Sequence, residues 1–255
     1  MKLTIGMPTY DDWSGVYFTV TSLRLYHDLE DTEILVVDNF GSKETEDWIR
    51  AWGQRKVRYE KYTEKVGTPP AKNAVFEFAK GEYVICVDCH VLLHPGALDF
   101  LWDGEDLIHG PMSYDGLDIF VTHMEPKWRG DMWGIWANHV RRDKLPVQPF
   151  EIPMMGMGLF GCRRDSWLGF HPEMRGFGGE EGYIHEKFRK AGRKVICLPW
   201  MIWNHRFGKS GGYPLDLGDR VRNYLIGFRE LGLSWDPIRE HFGERMVSKI
   251  ASSLD

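Results

Sequence analysis

Unbroken apolar runs and helix-spaced apolar positions take turns along the N-terminal part of the chain. Lys2 to Met7, Glu33 to Val37, Val57 to Tyr62 and Tyr83 to Val87 are short apolar runs bounded by turn residues. Runs of this length and composition are those of strands buried on both faces. Between them, Ser14 to His27 places Val16, Val20 and Leu23 at helical spacing, and Lys43 to Gly53 reads as a second helix. Thr68-Pro69-Pro70 opens a third helix over Ala71 to Lys80, since a helix start tolerates proline, and Gly81 ends it. Strands alternating with helices predict an α/β fold with a mostly parallel central sheet and right-handed crossovers. Such sheets bind ligands outside the carboxyl ends of their strands. Tyr10, Asp38 and Asp88 each follow directly after a predicted strand and are expected to converge on one crevice.

The second half is less regular. Residues 110–150 mix glycine, tryptophan and charge and read as loops with an antiparallel strand or two. Met155 to Cys162 reads as a glycine-rich strand, Gly182 to Ala191 as a helix and Val195 to Leu198 as a strand. Asp219 to Leu231 and Pro237 to Ser252 read as two closing helices. No Pro/Ser/Gly-rich linker divides the chain, so one domain of two lobes is expected: 1–110 for a nucleotide, 111–215 for an acceptor and catalysis, and 216–255 as closing helices.

Composition narrows the picture only modestly. The chain is 43% hydrophobic and 27% charged, as globular proteins are. A net charge of −5 offers no general basic field for nucleic acid or an anionic membrane. No apolar stretch has the length of a membrane helix or the layout of a signal peptide. Cys86 and Cys89 make one formal CxxC, yet strand alternation points them to opposite faces. Four free thiols in a reducing cytoplasm is the simplest expectation.

The chemistry concentrates in three places. Asp88-Cys89-His90 puts a carboxylate and an imidazole on one side of a strand end, because residues i and i+2 share a face. That mixed pair suits Mn²⁺ or Mg²⁺, which would bridge a diphosphate and stabilise its departing charge. An aspartate cap with a surface histidine is the ordinary alternative. His205, in Trp203-Asn204-His205-Arg206-Phe207-Gly208-Lys209, is a candidate third ligand, with Arg206 and Lys209 available to phosphate oxygens. Gly176-Phe177-Gly178-Gly179-Glu180-Glu181 is a glycine-rich loop delivering two carboxylates at a helix start. One acid would bind hydroxyls and the other act as general base. The helix dipole accounts for an acid there but not for the glycines. On the nucleotide side, Thr9 and Tyr10 follow the first strand, Tyr10 as a platform for a base. Asp38 is placed to accept from base or ribose, and Lys72 and Asn73 lie in the first turn of the third helix. Turn chemistry alone is a sufficient reason for Asp38-Asn39.

In this order the motifs resemble GT-A (Rossmann-like, nucleotide-diphospho-sugar transferase) glycosyltransferases over roughly residues 3–215. Met7-Pro8-Thr9-Tyr10, Val36-Val37-Asp38-Asn39, Ala71-Lys72-Asn73-Ala74 and Lys80-Gly81-Glu82-Tyr83 are similar to family 2 enzymes. Asp88-Cys89-His90, Gly158-Leu159-Phe160, Gly178-Gly179-Glu180 and His205-Arg206-Phe207 resemble polypeptide N-acetylgalactosaminyltransferases and related galactosyltransferases. The resemblance implies Asp88, His90 and His205 as metal ligands and a nucleotide-sugar donor, UDP-linked. Retaining relatives carry Asn after the Gly-Gly-Glu acid and inverting ones Asp. Glu181 at that position tilts the expectation to inversion, with Glu181 as base and Glu180 as a donor or acceptor binder.

The expected activity is transfer of a hexose or N-acetylhexosamine to an acceptor hydroxyl. A glycan, a lipid-linked saccharide, a protein and a hydroxymethylated nucleobase all stay open as acceptors. The Trp-rich stretch Trp128 to Trp136 serves either acceptor stacking or loop packing. A retaining transferase is the nearest alternative. A sugar nucleotidyltransferase ranks lower, since Pro8-Thr9-Tyr10 stands where its glycine-rich phosphate loop belongs. The presence of all three candidate ligands and both loop acids argues against a non-catalytic sugar-nucleotide or glycan binder on the same fold.

Overall fold

A computed structural model describes residues 2–51, 57–99, 102, 104–114, 118–137, 139–208 and 212–254. The elements run β1 (Leu3–Thr9), α1 (Trp13–Tyr26), β2 (Thr32–Asp38), α2 (Lys43–Ala51), β3 (Val57–Lys61), α3 (Thr68–Phe78) and β4 (Tyr83–Val87). Eight short strands follow: β5 (Val91–Leu93), β6 (Leu107–His109), β7 (Met112–Tyr114), β8 (Ile119–Val121), β9 (His123–Arg129), β10 (Met132–Ala137), β11 (Val140–Arg141) and β12 (Phe150–Glu151). The chain closes with β13 (Leu159–Arg163), α4 (Glu181–Lys190), β14 (Val195–Cys197), β15 (Trp203–His205), α5 (Leu217–Glu230), α6 (Asp236–Phe242) and α7 (Glu244–Ala251).

The main sheet has the order β12-β14-β6-β13-β4-β1-β2-β3. From β4 to β3 it is wholly parallel, and β1 and β4 are buried along their whole length. Beyond β4 it is mixed: β13 runs antiparallel to both β4 and β6, and β12 antiparallel to β14. The expected mostly parallel sheet is thus wholly parallel in one half and mixed in the other, where β14 still pairs parallel with β6. A parallel pair needs a crossover, usually a helix, whereas β13 is reached through a long excursion of short strands. That excursion supplies β11, β8, β7 and β5 of a second sheet, ordered β11-β8-β7-β15-β5, and the β9–β10 hairpin; β15 joins the second sheet from beyond β13.

Three boundaries differ from the sequence reading. Helix α3 starts at Thr68, because both prolines sit in the first turn where their missing N–H costs nothing. Pairing in the glycine-rich strand begins only at Leu159. The last helix splits into α6 and α7 at Gly243, whose φ of 84° is left-handed. Residues 110–150 hold more strand than their sequence suggests. Along β10, Met132, Gly134 and Trp136 line a cavity while Trp133 meets Trp128, so apolar residues occupy both faces and the alternation disappears. Among the described residues no helix is long and apolar enough to cross a membrane.

Strand register places the functional side chains. Thr9 stands opposite Asp38 in β1–β2, and Gly6 opposite Cys86 in β1–β4, so residues 10, 39 and 88 leave the sheet at one edge. In the second sheet β15 pairs antiparallel with β5, setting His205 opposite Val91, next in sequence to His90.

Candidate active site

A cavity of about 940 Å³ opens at that edge. Asp88, His90, His205, Lys72, Glu180 and Glu181 line it together. The Asp88 Oδ2 atom lies 3.9 Å from His90 Nε2 and 3.8 Å from His205 Nε2, and the two rings meet edge to face at 4.9 Å. One donor atom from each residue falls within 4.8 Å of the other two. One carboxylate and two imidazoles converging on a common space fit a divalent ion of the Mn²⁺ type. Gly158 keeps the space open. Its own carbonyl accepts from the Asp88 N–H, just beyond β4, and a Cβ there would stand 2.9 Å from Trp203 and 3.4 Å from Asp88 Oδ2.

Electrostatics tie the two halves of the cavity. Lys72 is buried with its Nζ 3.7 Å from Asp88 Oδ1. Burial pushes its ammonium down, but Asp88 and Glu180 outweigh that and hold its pKa above the ordinary value. Burial alone would raise Asp88. The Lys72 ammonium and the two imidazoles instead hold it well below the usual carboxylate range. Burial and then the Glu180 charge push Glu181 up to about 8, with Lys72 pulling the other way. Glu180 is buried, and its Oε1 accepts from the Thr68 hydroxyl. Its Oε2 is buried without a hydrogen-bond partner among the described residues. An acceptor left so costs about 1–3 kcal/mol or more, which is tolerable where a ligand supplies the donor.

The junction holding these acids is a backbone one. The Thr68 N–H donates to Gly176 O at 2.8 Å and the Gly176 N–H to Val66 O at 3.0 Å. Gly67 has a φ of 152°, and a Cβ on it would meet the Gly176 nitrogen at 2.4 Å.

The remaining candidates divide. Tyr10 lines the cavity and packs against Phe40 and Tyr213, with ring centroids 5.0 and 4.8 Å away. Thr9 is buried at the strand end with its hydroxyl oxygen lacking a partner among the described residues. Asp38 is buried behind the cavity wall. Its carboxylate accepts from the N–H groups of Phe40, Gly41 and Ser42 and from the Tyr59 hydroxyl, at 2.7–2.9 Å, which fills its capacity with its own turn. Asn73 faces away, bonded to the Phe170 backbone and the Trp167 indole N–H. Arg206 sits 5.8 Å above the Phe18 ring instead of in the cavity wall. Lys209 lies outside the described residues. Cys89 is buried behind His90, its Sγ 3.6 Å from Asp12 Oδ2 and from His90 Nδ1.

Sequence reasoning passed over Asp12, Tyr213 and Arg129, all of which line the cavity. Asp12 carries a readable signal, since it is the N-cap of α1, at the same sheet edge as Asp88. Tyr213 and Arg129 come from loop and hairpin positions that no motif marks. Of the tryptophans, Trp128 stacks on His241 at 4.3 Å and meets Tyr224 and Phe242, fastening the hairpin to the last helices. Trp136 instead lines the cavity over Gly156, where a Cβ would stand 2.6 Å from its ring.

Among proteins of curated function, none matches the sequence. Several solved structures share the fold. GalNAc-T7 with UDP, GalNAc and Mn²⁺ superposes with a TM-score of 0.71 at 18% identity, over 92% of this chain and 48% of that one. The chain thus spans about half the length of GalNAc-T7. Mannosyltransferase PcManGT from Pyrobaculum calidifontis, in complex with GDP-Man and Mn²⁺, gives 0.60 at 17% identity, over 99% and 74%. S. aureus TarS 1-349 in complex with UDP-GlcNAc gives 0.57 at 14%, over 98% and 72%. These likenesses establish the GT-A fold. The model of glycosyl transferase family 2 matches residues 4–166, more than half of the sequence, and the chain belongs to that family.

Proposed function

We propose that the chain is a divalent-metal-dependent transferase moving a hexose or N-acetylhexosamine from a nucleoside-diphosphate sugar, UDP-linked, to an acceptor hydroxyl with inversion. The observation that carries this reading is the meeting of the Asp88, His90 and His205 donor atoms with the Glu180–Glu181 pair in one cavity. That GalNAc-T7 and PcManGT hold Mn²⁺ beside UDP or GDP-Man supports the same reading. Asp88, His90 and His205 would hold the ion, which would supply positive charge to stabilise the departing diphosphate.

The protein's own residues do the rest. Tyr10 and Tyr213 form the platform for the base, and Lys72 balances the carboxylates while the donor enters. Glu180 accepts from a sugar hydroxyl through its unpartnered oxygen. Glu181, made more basic by burial and by Glu180, takes the acceptor proton as the acceptor oxygen bonds to the anomeric carbon. The bond from that carbon to the diphosphate breaks, and its electron pair leaves with the diphosphate. Residues 1–110 form the nucleotide-sugar lobe, 111–215 the acceptor and catalytic lobe, which also lends Glu180, His205 and Tyr213 to the donor, and 216–255 close the fold. Met124, Met132, Met157 and Trp136 line the cavity, which favours an acceptor with an apolar or aromatic body. Four buried free thiols suit a reducing cytoplasm.

Calorimetry with UDP and GDP, with and without Mn²⁺, tests the donor site. Tight UDP binding only with Mn²⁺ is the expected result, and metal-independent binding or none would overturn it. Donor-hydrolysis screens across UDP-sugars then identify the sugar, and the anomeric configuration of the product, read by NMR, decides inversion against retention.

A further inference from the structure

We propose that Asp12 is a positioning residue for the metal site, holding His90 with its proton on Nδ1 so that Nε2 offers a lone pair beside Asp88 and His205. The inference rests on the metal reading above and adds a residue that neither the motifs nor the comparisons single out.

The two oxygens of Asp12 have separate tasks. Oδ1 accepts from the Gly15 N–H at 3.0 Å and the Ser14 hydroxyl at 3.2 Å, capping α1. Oδ2 lies 3.3 Å from His90 Nδ1 and accepts from the Cys89 thiol at 3.6 Å. Asp12 and His90 are both buried, so this contact is little screened. The opposite ring nitrogen, Nε2, faces Asp88 from 3.9 Å, and Asp88 already shares its charge with Lys72 and His205. The nearer carboxylate therefore claims the ring proton. In a neutral imidazole the nitrogen that donates leaves the other to coordinate. A carboxylate behind a ligating histidine fixes tautomer and ring orientation and raises the ligand's basicity.

The fold holds Asp12 in this place. A Cβ on Gly15 would stand 2.6 Å from Asp12 Oδ2 and 2.7 Å from the Cys89 carbonyl, so only glycine lets the first turn of α1 lie against the Asp88–His90 turn. The Thr19 hydroxyl, one turn further on, contacts the Cys89 and Val91 carbonyls at 2.9 Å each. Helix α1 is thus clamped to the turn that carries both ligands.

Asp12→Asn separates the two tasks. Gly15 and Ser14 still require an acceptor, and Asn caps about as well as Asp, so the amide oxygen takes Oδ1's place. The amide N–H₂ then faces His90 Nδ1 and turns the proton onto Nε2, where the ion must bind. In the metal-free protein, ¹⁵N NMR of labelled histidine is expected to show His90 as the Nδ1–H tautomer in the wild type and Nε2–H in the variant. Mn²⁺ affinity, read by EPR titration in the presence of UDP, is expected to weaken roughly 10- to 100-fold. Thr19→Val, which loosens the clamp without touching the ring, is expected to lower Tm while keeping the wild-type tautomer. An Nε2–H tautomer in the wild type, or undiminished Mn²⁺ affinity in Asp12→Asn, overturns the role of Asp12 and leaves the metal site standing. Failure of the wild type itself to bind Mn²⁺ overturns the metal reading, and the role of Asp12 with it.

Discussion

The ammonium of Lys72, on α3, lies 3.7 Å from the Asp88 carboxylate at the end of β4, and both reach the cavity that Glu180 and Glu181 also line. One buried cation thereby stands among three acids. Removing it leaves the carboxylates to repel each other in a poorly solvated space, and breaking one partner of a buried pair costs about 3–5 kcal/mol. Lys72→Met is expected to lower Tm by roughly 6–12 °C at the lower end of that range, given a chain of this size. Added Mn²⁺ replaces the missing charge, so calorimetry is expected to show a larger Mn²⁺-induced rise in Tm for Lys72→Met than for the wild type. Equal rises would mean that Lys72 does not balance the metal-site carboxylates.

As the proposed base, Glu181 is expected to give activity and stability opposite pH slopes. A base works deprotonated, so with its pKa raised from 4.5 to about 8, kcat/KM is expected to rise with pH and to level above about 8. For stability the sign reverses. Between those two values the folded state holds a proton that the unfolded chain has lost, so unfolding free energy falls as pH rises through the window. Glu181→Gln is expected to flatten this contribution to both profiles. It should reduce transfer by roughly 10²- to 10⁴-fold while UDP binding with Mn²⁺ persists. Retained turnover in the variant would remove Glu181 from the role of base.

The helices and parallel strands of the first half were readable because each stays within one rhythm and ends on a turn residue. That Asp88, His90 and His205 would meet was also readable, from the end of a buried strand and from motif order, although a turn beyond β4, closed by the Val91 N–H on the Asp88 carbonyl, and not strand alternation, brings the first two together. Asp38 was misleading in sequence, since a strand-end aspartate serves its own turn as readily as a ligand, and here four donors fill its carboxylate. Asn73 was placed on the right helix but faces Trp167 and Phe170, because where a helix side chain points depends on tertiary packing that local spacing does not encode. Arg129 and Tyr213 line the cavity from the tip of the β9–β10 hairpin and from an irregular segment, where no sequence motif marks them.

Gly67 sits where the start of α3 meets the glycine-rich loop at Gly176. A side chain there meets Gly176 backbone at 2.4 Å and must also adopt a left-handed φ of 152°. Gly67→Ala is expected to separate Thr68 from the loop and pull the Thr68 hydroxyl from Glu180. Destabilisation of about 2 kcal/mol or more is expected from such combined strain, with kcat lowered further than stability alone explains. Thr68→Val removes only the hydroxyl and should lower kcat with a smaller loss in Tm. If both variants keep full kcat at a temperature where they are folded, the junction does not position the acids.

Trp128 and Trp136 stand on one hairpin yet serve different neighbours, and substitution should divide them. Trp128 is packed against His241, Tyr224 and Phe242, so Trp128→Ala opens a void between the hairpin and the last helices. A loss of about 3 kcal/mol is expected from such a cavity, with donor and acceptor KM unchanged in the folded fraction. Trp136 lines the reaction cavity, held over Gly156. Trp136→Ala should leave Tm nearly unchanged and raise acceptor KM about tenfold, the equivalent of losing about 1.4 kcal/mol of stacking. Donor hydrolysis, which needs no acceptor beyond water, is expected to survive in Trp136→Ala at close to the wild-type rate. A drop in hydrolysis equal to the drop in transfer would place Trp136 on the donor instead, and would move the acceptor to the side of the cavity that Arg129 and Phe177 line.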